Sequence, residues 1–395
     1  MKILFVATKS PWPPIDGGRL ALWLTLQGLA AAGHQLQLVA PVDQLADAKC
    51  PHALAELATL CTPHPVVARR HGWLAAAWRA LRDNAALTVA RHRLDAVEQV
   101  VKHIAQSWQP DVIHVEQLQA FGNAATAGVP IVLRMQNIES SLWQQVALAR
   151  WRSRPLAIEA WRLRRDEVRA MRSATRVIAL TERDAQALQK HLDEAPSEAD
   201  SNKRVCALPP PFPAYLPCAP AVIGAPAICL SGSLGWWPNQ QGTQWFIDKV
   251  LPHLQEQLAT ARVHVYGGAP SGAAVDYHPP PSDSMTAFPA GAICAVPLHI
   301  ASGIRMRILE AWARGLPVVA TSTAAAGLNV ESGRELLIAD HAQDFASAIG
   351  QLARDSALRA RLISAGRAYL TRYHDDAACA TALLKEYASS LTDSA

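Results

Sequence analysis

Short apolar runs separated by longer amphipathic stretches recur along the chain. In the first half they fall at residues 4–7, 35–41, 111–116, 129–137 and 174–181. Runs of this length between helices indicate strands of a parallel sheet that is covered on both faces. Residues 18–32 have apolar positions at helical spacing, and Gly33 stands where a helix end favours a left-handed residue. The first half is therefore predicted to be an α/β unit.

The same pattern starts again after a proline-rich segment at residues 209–217. Proline on that scale excludes a helix or a central strand, so the segment is predicted to be a linker. Apolar runs follow at residues 227–232, 263–267, 292–298, 317–322 and 335–340. Residues 269–290, rich in Pro, Ala and Ser, are predicted to form a loop. The predicted fold class is α/β with two units in tandem, and ligands are expected beyond the carboxyl ends of the strands, in a cleft between the units.

The segment 296–315, VPLHIASGIRMRILEAWARG, combines a strand end, a glycine turn and a helix with one charged stripe. We predict that this helix starts near Ser302, as its N-cap, and ends at the closing glycine. At about 100° per residue, Arg307, Glu310 and Arg314 fall on one face, and apolar side chains cover most of the rest. Charges on a mostly buried helix are costly unless they are paired or bind a ligand.

This charged stripe suits a nucleotide ligand. A helix N-terminus with free N–H groups and a nearby arginine, here Arg307, suits a phosphate. A carboxylate further along, here Glu310, suits a sugar diol because it accepts two hydroxyl protons. The alternative is a surface ion pair between these two residues, while Arg305 points away from the stripe and is expected only to support the helix. The chain has no Asp-x-Asp pair and no cluster with metal spacing, so arginine and backbone N–H groups are expected to meet the diphosphate without a metal.

Composition narrows the cellular setting. The N-terminus lacks the longer apolar region of a signal peptide, and no stretch approaches the roughly 18 apolar residues of a spanning helix. The seven cysteines are scattered without Cys-x-x-Cys spacing, which favours reduced thiols and a cytoplasmic protein. Residues 1–190 carry 23 basic against 15 acidic side chains, and the remainder carries 14 against 18. The basic half indicates either an anionic partner or solvated helix faces.

The sequence SGIRMRILEAWARGLPVVATSTAAAGL, followed by ELLIAD, resembles the donor-binding core of glycosyltransferase family 4, a retaining GT-B family. The stretch from Glu310 to Val319 matches the EAMAxGxPVV run of that family. Residues 136–145, 177–184 and 232–252, together with the N-terminal SPWPPIDGGRLAL, resemble a bacterial polysaccharide-type branch. The resemblance covers nearly the whole chain, and the block at 303–322 is its specific part.

The resemblance implies two Rossmann-like domains facing across a cleft, residues 1–208 for the acceptor and 218–370 for the nucleotide sugar, with a helix at 371–395 crossing back to the first. It places Arg307 against the diphosphate and Glu310 on the ribose hydroxyl groups. It places Gln136 where the family has a histidine near the reacting centre, and these three residues are the catalytic candidates. The donor-binding candidates are Gly17, Gly18, Gly232, Ser233, Ser302, Gly303, Arg307 and Glu310. The acceptor-binding candidates are Glu116 and Asn137.

Three departures from the family pattern affect the chemistry. Ser302 stands where the family has a glutamate that usually contacts the transferred sugar. Gln136 and Asn137 replace a His-Asn motif. The usual basic residue beyond the Gly232–Ser233 turn is absent. The first and third departures are common in this branch, whereas the second bears on catalysis.

Three further features have two interpretations each. Glu116 ends a strand. It either binds the acceptor or acts as a base, or it is a polar strand end without a function. Residues 69–103 place Trp and Leu between arginines, which suits either a membrane interface or an amphipathic helix packed on the sheet. Residues 150–172 interleave Arg with Glu and Asp, which favours a solvated helix with internal ion pairs. Their Trp and Arg content is also compatible with RNA, but no nucleic-acid motif supports that.

These observations predict a transferase that moves a sugar from a nucleotide-diphosphate sugar to a glycan, polysaccharide or lipid-linked acceptor. Retention at the anomeric carbon is expected, with no cofactor and no metal. The expected location is the cytoplasm with peripheral contact at the inner membrane surface, and no nucleic-acid partner is expected. Gln136 and Ser302 motivate an alternative, a non-catalytic relative that binds a nucleotide sugar or glycan as a scaffold. A hydrolysing sugar-nucleotide epimerase is a third hypothesis, but the chain shows no convincing set of acids and bases for it.

Overall fold

The chain divides into two compact units. The computed structural model describes residues 1–149, 153–195, 205–267 and 274–392. The first unit contains residues 1–13, 18–211 and 376–395, and the second contains residues 14–17 and 212–375. The main division, after Pro211, falls inside the proline-rich segment that the sequence marks as a linker.

The first unit is built on a sheet of seven parallel strands in the order β3-β2-β1-β4-β5-β6-β7. The strands are β1 (Lys2–Val6), β2 (Gln35–Val42), β3 (Thr62–Val67), β4 (Val112–Glu116), β5 (Ile131–Met135), β6 (Arg176–Ala179) and β7 (Val205–Ala207). The sequence did not predict β3 or β7. Pro63 and Pro65 lie within β3, which is at the edge of the sheet where proline is tolerated, and β7 has only three residues.

Two hydrophobic clusters pack on this sheet, one on each face, because successive side chains of a strand point in opposite directions. Leu4 and Val6 of β1 belong to one cluster, and Ile3 and Phe5 belong to the other. The helices between these strands are α1 (Gly17–Ala31), α2 (Leu45–Ala48), α3 (Pro51–Ala58), α4 (Trp73–Arg82), α5 (Leu87–His92), α6 (Asp95–Trp108), α7 (Leu118–Phe121), α8 (Glu139–Ala149), α9 (Leu156–Ser173) and α10 (Glu182–Asp193). All of them except α2 and α4 add apolar side chains to the two clusters. The predicted role of Gly33 is confirmed, since it follows α1 with a φ of 80°.

In the second unit, the described residues form six parallel strands in the order β10-β9-β8-β11-β12-β13. The strands are β8 (Ala227–Ser231), β9 (Arg262–Tyr266), β10 (Val275–His278), β11 (Ile293–Val296), β12 (Val318–Ala320) and β13 (Leu337–Ile338). The prediction of a loop over residues 269–290 was wrong at β10. Only Val275 of this edge strand is buried, so the strand leaves little apolar pattern in the sequence. Residues 269–273 of the predicted loop lie outside the described part of the chain.

The described part of the second unit contains six α-helices. They are α11 (Trp237–Trp245), α12 (Leu251–Gln257), α13 (Met306–Ala313), α14 (Ser322–Ala325), α15 (Ala342–Arg354) and α16 (Ser356–Tyr373). A π-helical turn, Phe246–Val250, joins α11 to α12, and a short 3₁₀ turn covers Ser284–Ala287. Phe246, Val250 and Phe345 lie in one hydrophobic cluster with the apolar residues of the sheet.

The last helix, α17 (Asp376–Thr392), belongs to the first unit. Its residues Leu383 and Tyr387 lie in the same cluster as Phe5 of β1. The single helix predicted over residues 371–395 therefore consists of the end of α16 and the whole of α17, with a break at residues 374–375.

The order of the strands reverses once in each sheet. In the first unit the reversal lies between β1 and β4, and in the second it lies between β8 and β11. Connections leave such a pair of strands in opposite directions, which opens a crevice at their carboxyl ends where ligands bind. Functional residues are therefore expected directly after these four strands.

Candidate functional site

Gly232 directly follows β8 at the reversal point of the second sheet. Its φ is 140°, a value that side chains rarely adopt, so glycine is required there. A Cβ atom on this residue would lie 2.5 Å from Nη2 of Arg307 and 2.8 Å from Nδ2 of Asn239. The backbone of Gly232 therefore packs directly against a guanidinium group. Ser233, the next residue, is exposed.

The predicted start of the charged helix was wrong. α13 begins at Met306, and its N-cap is Arg305, three residues after the predicted N-cap Ser302. Gly303 has a φ of 72°, a left-handed conformation that a right-handed helix cannot contain. Its carbonyl oxygen packs against Gly327, since a Cβ atom on Gly327 would lie only 2.3 Å from it. Ser302 is thus part of the loop before α13, and its carbonyl accepts a hydrogen bond from the Arg305 side chain.

Arg307 lies at the first turn of α13 and is half-buried. Its Nη2 donates to Oδ1 of Asn239 at 3.0 Å, and Nδ2 of Asn239 donates to the carbonyl of Ser233 at 3.0 Å. Burial lowers the pKa of Arg307, and the charge of Glu310 partly offsets this. An arginine remains a cation under such conditions. Asn239 therefore links Arg307 to the turn formed by Gly232 and Ser233.

Glu310 is buried, with 5% of its surface exposed, and it pairs with Arg314 rather than with Arg307. Its Oε1 accepts from Nε of Arg314 at 3.0 Å and from Nη2 at 2.8 Å. Nη1 of Arg314 donates to the carbonyl of Pro217, which anchors the pair. Within the described part of the chain, no protein group donates to Oε2 of Glu310. One oxygen of this carboxylate is thus held by the protein, and the other is not.

The two glycines that open α1 fall in different units. Gly17 belongs with the second unit, where a Cβ atom on it would lie 3.0 Å from Cγ of Met306, the first residue of α13. Gly18 belongs with the first unit, where its carbonyl accepts from Nε2 of Gln136 at 3.4 Å. Gly17 therefore lies beside the helix that carries Arg307.

Glu116 ends β4 in the first unit and is almost completely buried, with 3% of its surface exposed. Its oxygens accept from Nε and Nη2 of Arg134, from Nε2 of Gln136 at 2.8 Å and from Nε2 of His114 at 3.2 Å. Burial alone would raise the pKa of this carboxyl group, but Arg134 and His114 hold it at about 2. Protein donors occupy both oxygens, which argues against the predicted contact between Glu116 and an acceptor.

Gln136 follows β5 and is also buried, with 7% exposed. Its Nε2 donates to Glu116, and its Oε1 accepts from Nε2 of Gln117 at 2.6 Å. Asn137, the next residue, is half-buried. The edge of the first sheet therefore holds the amide of Gln136 in fixed contacts, next to the half-buried Asn137.

Four residues with a place at these edges were not predicted. Asn239, Thr8 and Gln117 are neutral and become notable only through contacts between distant segments. Glu139 is the first residue of α8; burial raises its pKa to about 7, the charge of Glu167 adds to the rise, and a hydrogen bond from Gln119 opposes it. The only signal for Glu139 in the sequence is its position, three residues after the predicted catalytic residue Gln136. A pKa near neutrality is typical of functional carboxyl groups.

Among the described residues, no group of three or more His, Cys, Asp or Glu side chains is arranged to hold a metal ion. The same part of the chain has no helix that combines the length and the apolar character needed to cross a bilayer.

One segment of the sequence and the whole fold are similar to known proteins. The family model described as "Glycosyl transferases group 1" matches residues 225–355, about a third of the chain. No curated protein sequence matches the chain. The matched segment contains β8, α13 and the residues around Arg307.

Solved structures match the chain over nearly its full length. Sucrose-phosphate synthase from Thermosynechococcus elongatus has a TM-score of 0.72 at 15% identity, covering 98% of each chain. HepE from Anabaena, in complex with UDP and glucose, has a TM-score of 0.67 at 17% identity, covering 98% of this chain and all of HepE. A variant of TarM from S. aureus, in complex with fondaparinux, α-GlcNAc-glycerol and UDP, has a TM-score of 0.67 at 9% identity, covering 98% of this chain and all of TarM. The fold is therefore GT-B, with two Rossmann-like domains, as predicted.

Proposed function

We propose that the protein transfers a sugar from a nucleotide-diphosphate sugar to a hydroxyl group of a glycan, polysaccharide or lipid-linked acceptor. The observation that carries this proposal is the Arg307 guanidinium packed on the Gly232 backbone at the reversal point of the second sheet. Among the described residues this cation has an amide partner and no carboxylate within ion-pair distance. A cation held in this way suits a diphosphate better than it suits a structural ion pair.

The nucleotide is proposed to bind along the loop after β8 and the first turn of α13. Arg307 meets the diphosphate, and Oε2 of Glu310 accepts from the ribose hydroxyl groups while Arg314 holds Oε1. The donor contacts are completed by Gly17, Gly18, Ser233, Ser302 and Gly303. HepE has been crystallised with UDP and with UDP-glucose, so UDP-sugars are the first donors to test.

The proposed reaction retains the anomeric configuration and uses no metal. The bond between the anomeric carbon and the leaving phosphate oxygen breaks, and the acceptor oxygen bonds to the same carbon from the same face. The proton of the acceptor hydroxyl passes to the leaving phosphate oxygen. Arg307 then stabilises the negative charge that develops on the diphosphate, and the remaining residues position the two substrates.

The acceptor is proposed to bind at the carboxyl edge of the first sheet, near Gln136 and Asn137. Amides donate to and accept from hydroxyl groups, but they do not take up a proton at neutral pH. Gln136 is therefore proposed to orient the acceptor hydroxyl, and Glu116 is proposed to orient Gln136.

A membrane contact is proposed on a different surface of the first unit. Leu74, Trp78 and Leu81 lie on one face of α4 with 90%, 62% and 71% of their surfaces exposed. The guanidinium of Arg82 lies 5.1 Å from the Trp78 ring, and the neighbouring Arg69 is also exposed. Exposed aromatic and leucine side chains beside arginines suit the interface of an anionic bilayer. We propose that this face meets the cytoplasmic surface of the membrane, where a lipid-linked acceptor would lie.

A second function is favoured by the same buried network. Gln136 replaces a titratable histidine, and Glu116 is fully occupied by protein donors, so neither serves as a base. A protein that binds a nucleotide sugar without turning it over, and acts as a scaffold, fits this observation.

One experiment separates the two functions. UDP-, GDP-, dTDP- and ADP-sugars are screened for a rise in melting temperature, and each donor that binds is followed for nucleotide release with and without a lipid extract. Transfer predicts release that increases with the extract. Tight binding without release under any condition supports the scaffold, and the absence of binding by every donor contradicts both.

A further inference from the structure

Gln117 has a backbone conformation that side chains rarely adopt. Its φ is 75° and its ψ is 150°, a combination that is populated almost only by glycine. Among the described residues, Asn84 and Gln109 are the other non-glycine residues with positive φ. Gln109 adopts the milder left-handed helical form, with a φ of 52° and a ψ of 68°. Strain of this kind persists only where the surroundings impose it, and it is concentrated at functional positions.

The position of Gln117 in the sheet explains what imposes this conformation. The residue follows β4 at the reversal point of the first sheet. Its N–H still donates to the carbonyl of Arg134 at 2.9 Å, so pairing with β5 is preserved. Its Oε1 accepts from Oγ1 of Thr8, beyond β1, at 2.8 Å, and its Nε2 donates to Oε1 of Gln136, beyond β5, at 2.6 Å. The strained residue therefore links the ends of three adjacent strands.

These contacts select one orientation of the Gln136 amide. Glu116 can only accept, so it faces the NH₂ group of Gln136, and the NH₂ group of Gln117 faces the oxygen. The reversed amide would place oxygen against the Glu116 carboxylate and NH₂ against the NH₂ group of Gln117. Glu116 thus holds the NH₂ side of the amide and Gln117 holds the oxygen side, so without Gln117 the oxygen of Gln136 loses a donor at 2.6 Å.

We propose that Gln117 is a positioning residue whose strained backbone holds Gln136 in a single amide orientation toward a ligand that carries neutral hydroxyl groups. This inference rests on the proposed function, in which that ligand is the acceptor. Thr8, Gln117 and Gln136 have neutral polar side chains, so the group suits a sugar or polyol hydroxyl rather than a phosphate. The strain lowers the stability of the first unit and is retained because it orients the amide.

The experiment uses two substitutions at the same position. Gln117→Ala and Gln117→Gly remove the same amide, but only glycine relieves the backbone strain. The glycine variant is expected to melt about 4 °C above the alanine variant. Both variants are expected to release UDP from UDP-glucose with kcat at least tenfold below that of the unmodified protein and with unchanged affinity for UDP. The matched control is the exposed Gln109, where the same two substitutions are expected to leave kcat unchanged.

Several outcomes would overturn the inference. Equal melting temperatures of the two Gln117 variants would show that the backbone is not strained, and a retained kcat would show that the residue positions nothing. A glycine variant that is more stable than the alanine variant, yet equally slow, cannot be explained by damage to the fold. If the unmodified protein turns over no donor, the proposed function fails, and NMR of the ¹⁵N-labelled Gln136 side chain decides the inference. Tenfold faster amide exchange in Gln117→Ala supports it, and unchanged exchange contradicts it.

Discussion

The hydroxyl oxygen of Tyr387 in α17 lies 2.6 Å from Nδ1 of His114 in β4. Burial raises the pKa of Tyr387 well above that of a free tyrosine, so the phenol keeps its proton and donates a hydrogen bond to Nδ1. Nε2 of His114 then carries the single ring proton and donates a hydrogen bond to Glu116 at 3.2 Å. Burial also lowers the pKa of His114, and Glu116 only partly offsets this, which keeps the imidazole neutral. The C-terminal helix thus sets the tautomer of a histidine that helps to hold Glu116 and, through it, Gln136.

Removal of this hydroxyl should destabilise the first unit. In Tyr387→Phe, the buried Nδ1 of His114 loses its donor, and an unsatisfied buried acceptor costs about 1–3 kcal/mol. Urea denaturation followed by circular dichroism measures this loss. Tyr215→Phe is the control, because Tyr215 is 71% exposed and its loss should leave the midpoint unchanged. Equal midpoints for the Tyr387 variant and the unmodified protein would show that α17 docks by apolar contacts alone.

Arg307 and Arg305 should differ in their effect on nucleotide binding. Arg307 packs on Gly232 at the edge of the sheet, whereas Arg305 is buried and donates to the carbonyl of Ser302. A charge-assisted hydrogen bond contributes about 1.5–3 kcal/mol, so Arg307→Ala should weaken UDP binding roughly 10- to 100-fold. Arg305→Ala should change it by less than about threefold. Isothermal titration of UDP gives both values, and equal losses would count against the assigned roles of the two arginines.

Glu310 should be sensitive to the kind of substitution made. Glu310→Ala should weaken both UDP binding and the fold, because alanine would leave the buried Arg314 without its carboxylate, at a cost of about 3–5 kcal/mol. Glu310→Gln keeps an oxygen for Arg314 and should remain folded while UDP binding weakens. Thermal unfolding and UDP titration are measured on both variants, and a fully stable Glu310→Ala would show that the ion pair contributes little.

Much of this arrangement follows from residue spacing, and the rest depends on tertiary contacts. Arg307 and Glu310 are three residues apart on an apolar helix, so their common face could be predicted. The start of that helix could not, because glycine adopts either sign of φ and only packing against Gly327 fixes Gly303. Spacing also allowed Glu310 to pair with a residue three positions before it or four after it. Arg314 is favoured because the distant Pro217 anchors it.

The first unit shows the same limit more clearly. Glu116 was predicted at a strand end, which is correct, but nothing local indicated that Arg134 and His114 occupy its oxygens. The strain at Gln117 likewise arises from contacts with Thr8 and Gln136 that lie far away in the sequence. Periodicity predicts which strands exist and where they end, whereas the polar contacts between strand ends depend on the order of the strands in the sheet.

Glu139 should make both activity and stability depend on pH near neutrality. Burial raises its pKa from 4.5 to about 7. Between these two pH values the carboxyl group is protonated in the folded protein but ionised in the unfolded chain. Stability relative to Glu139→Gln should therefore be greatest at acidic pH and should decrease as the pH rises through this window. The transfer rate should change near pH 7 in the unmodified protein but not in Glu139→Gln, because the residue lies three positions after Gln136. Urea midpoints at about pH 5 and pH 8, together with a pH–rate profile, test this.

The control for Glu139 is another glutamate at the start of a helix. Glu182 begins α10 and is exposed. Glu182→Gln should leave the pH dependence of both quantities as it is in the unmodified protein. If the transfer rate of Glu139→Gln still changes near pH 7, another group is responsible for that titration.

The exposed face of α4 should bind anionic bilayers. Leu74 and Trp78 can insert their side chains at the interface, while Arg69 and Arg82 interact with anionic headgroups. The unmodified protein should float with phosphatidylglycerol vesicles and not with phosphatidylcholine vesicles, and high salt should weaken this binding because it screens the arginines. The double variant Leu74→Glu/Trp78→Glu should stay in the lower fractions with its melting temperature and UDP affinity unchanged, since both side chains are exposed. The control is Ile223→Glu in the second unit. Ile223 is 67% exposed, and this variant should still float.

Two outcomes would contradict this prediction. If the double variant also floats, another surface binds the lipid. If light scattering shows a dimer that the double variant abolishes, the face joins two copies of the chain.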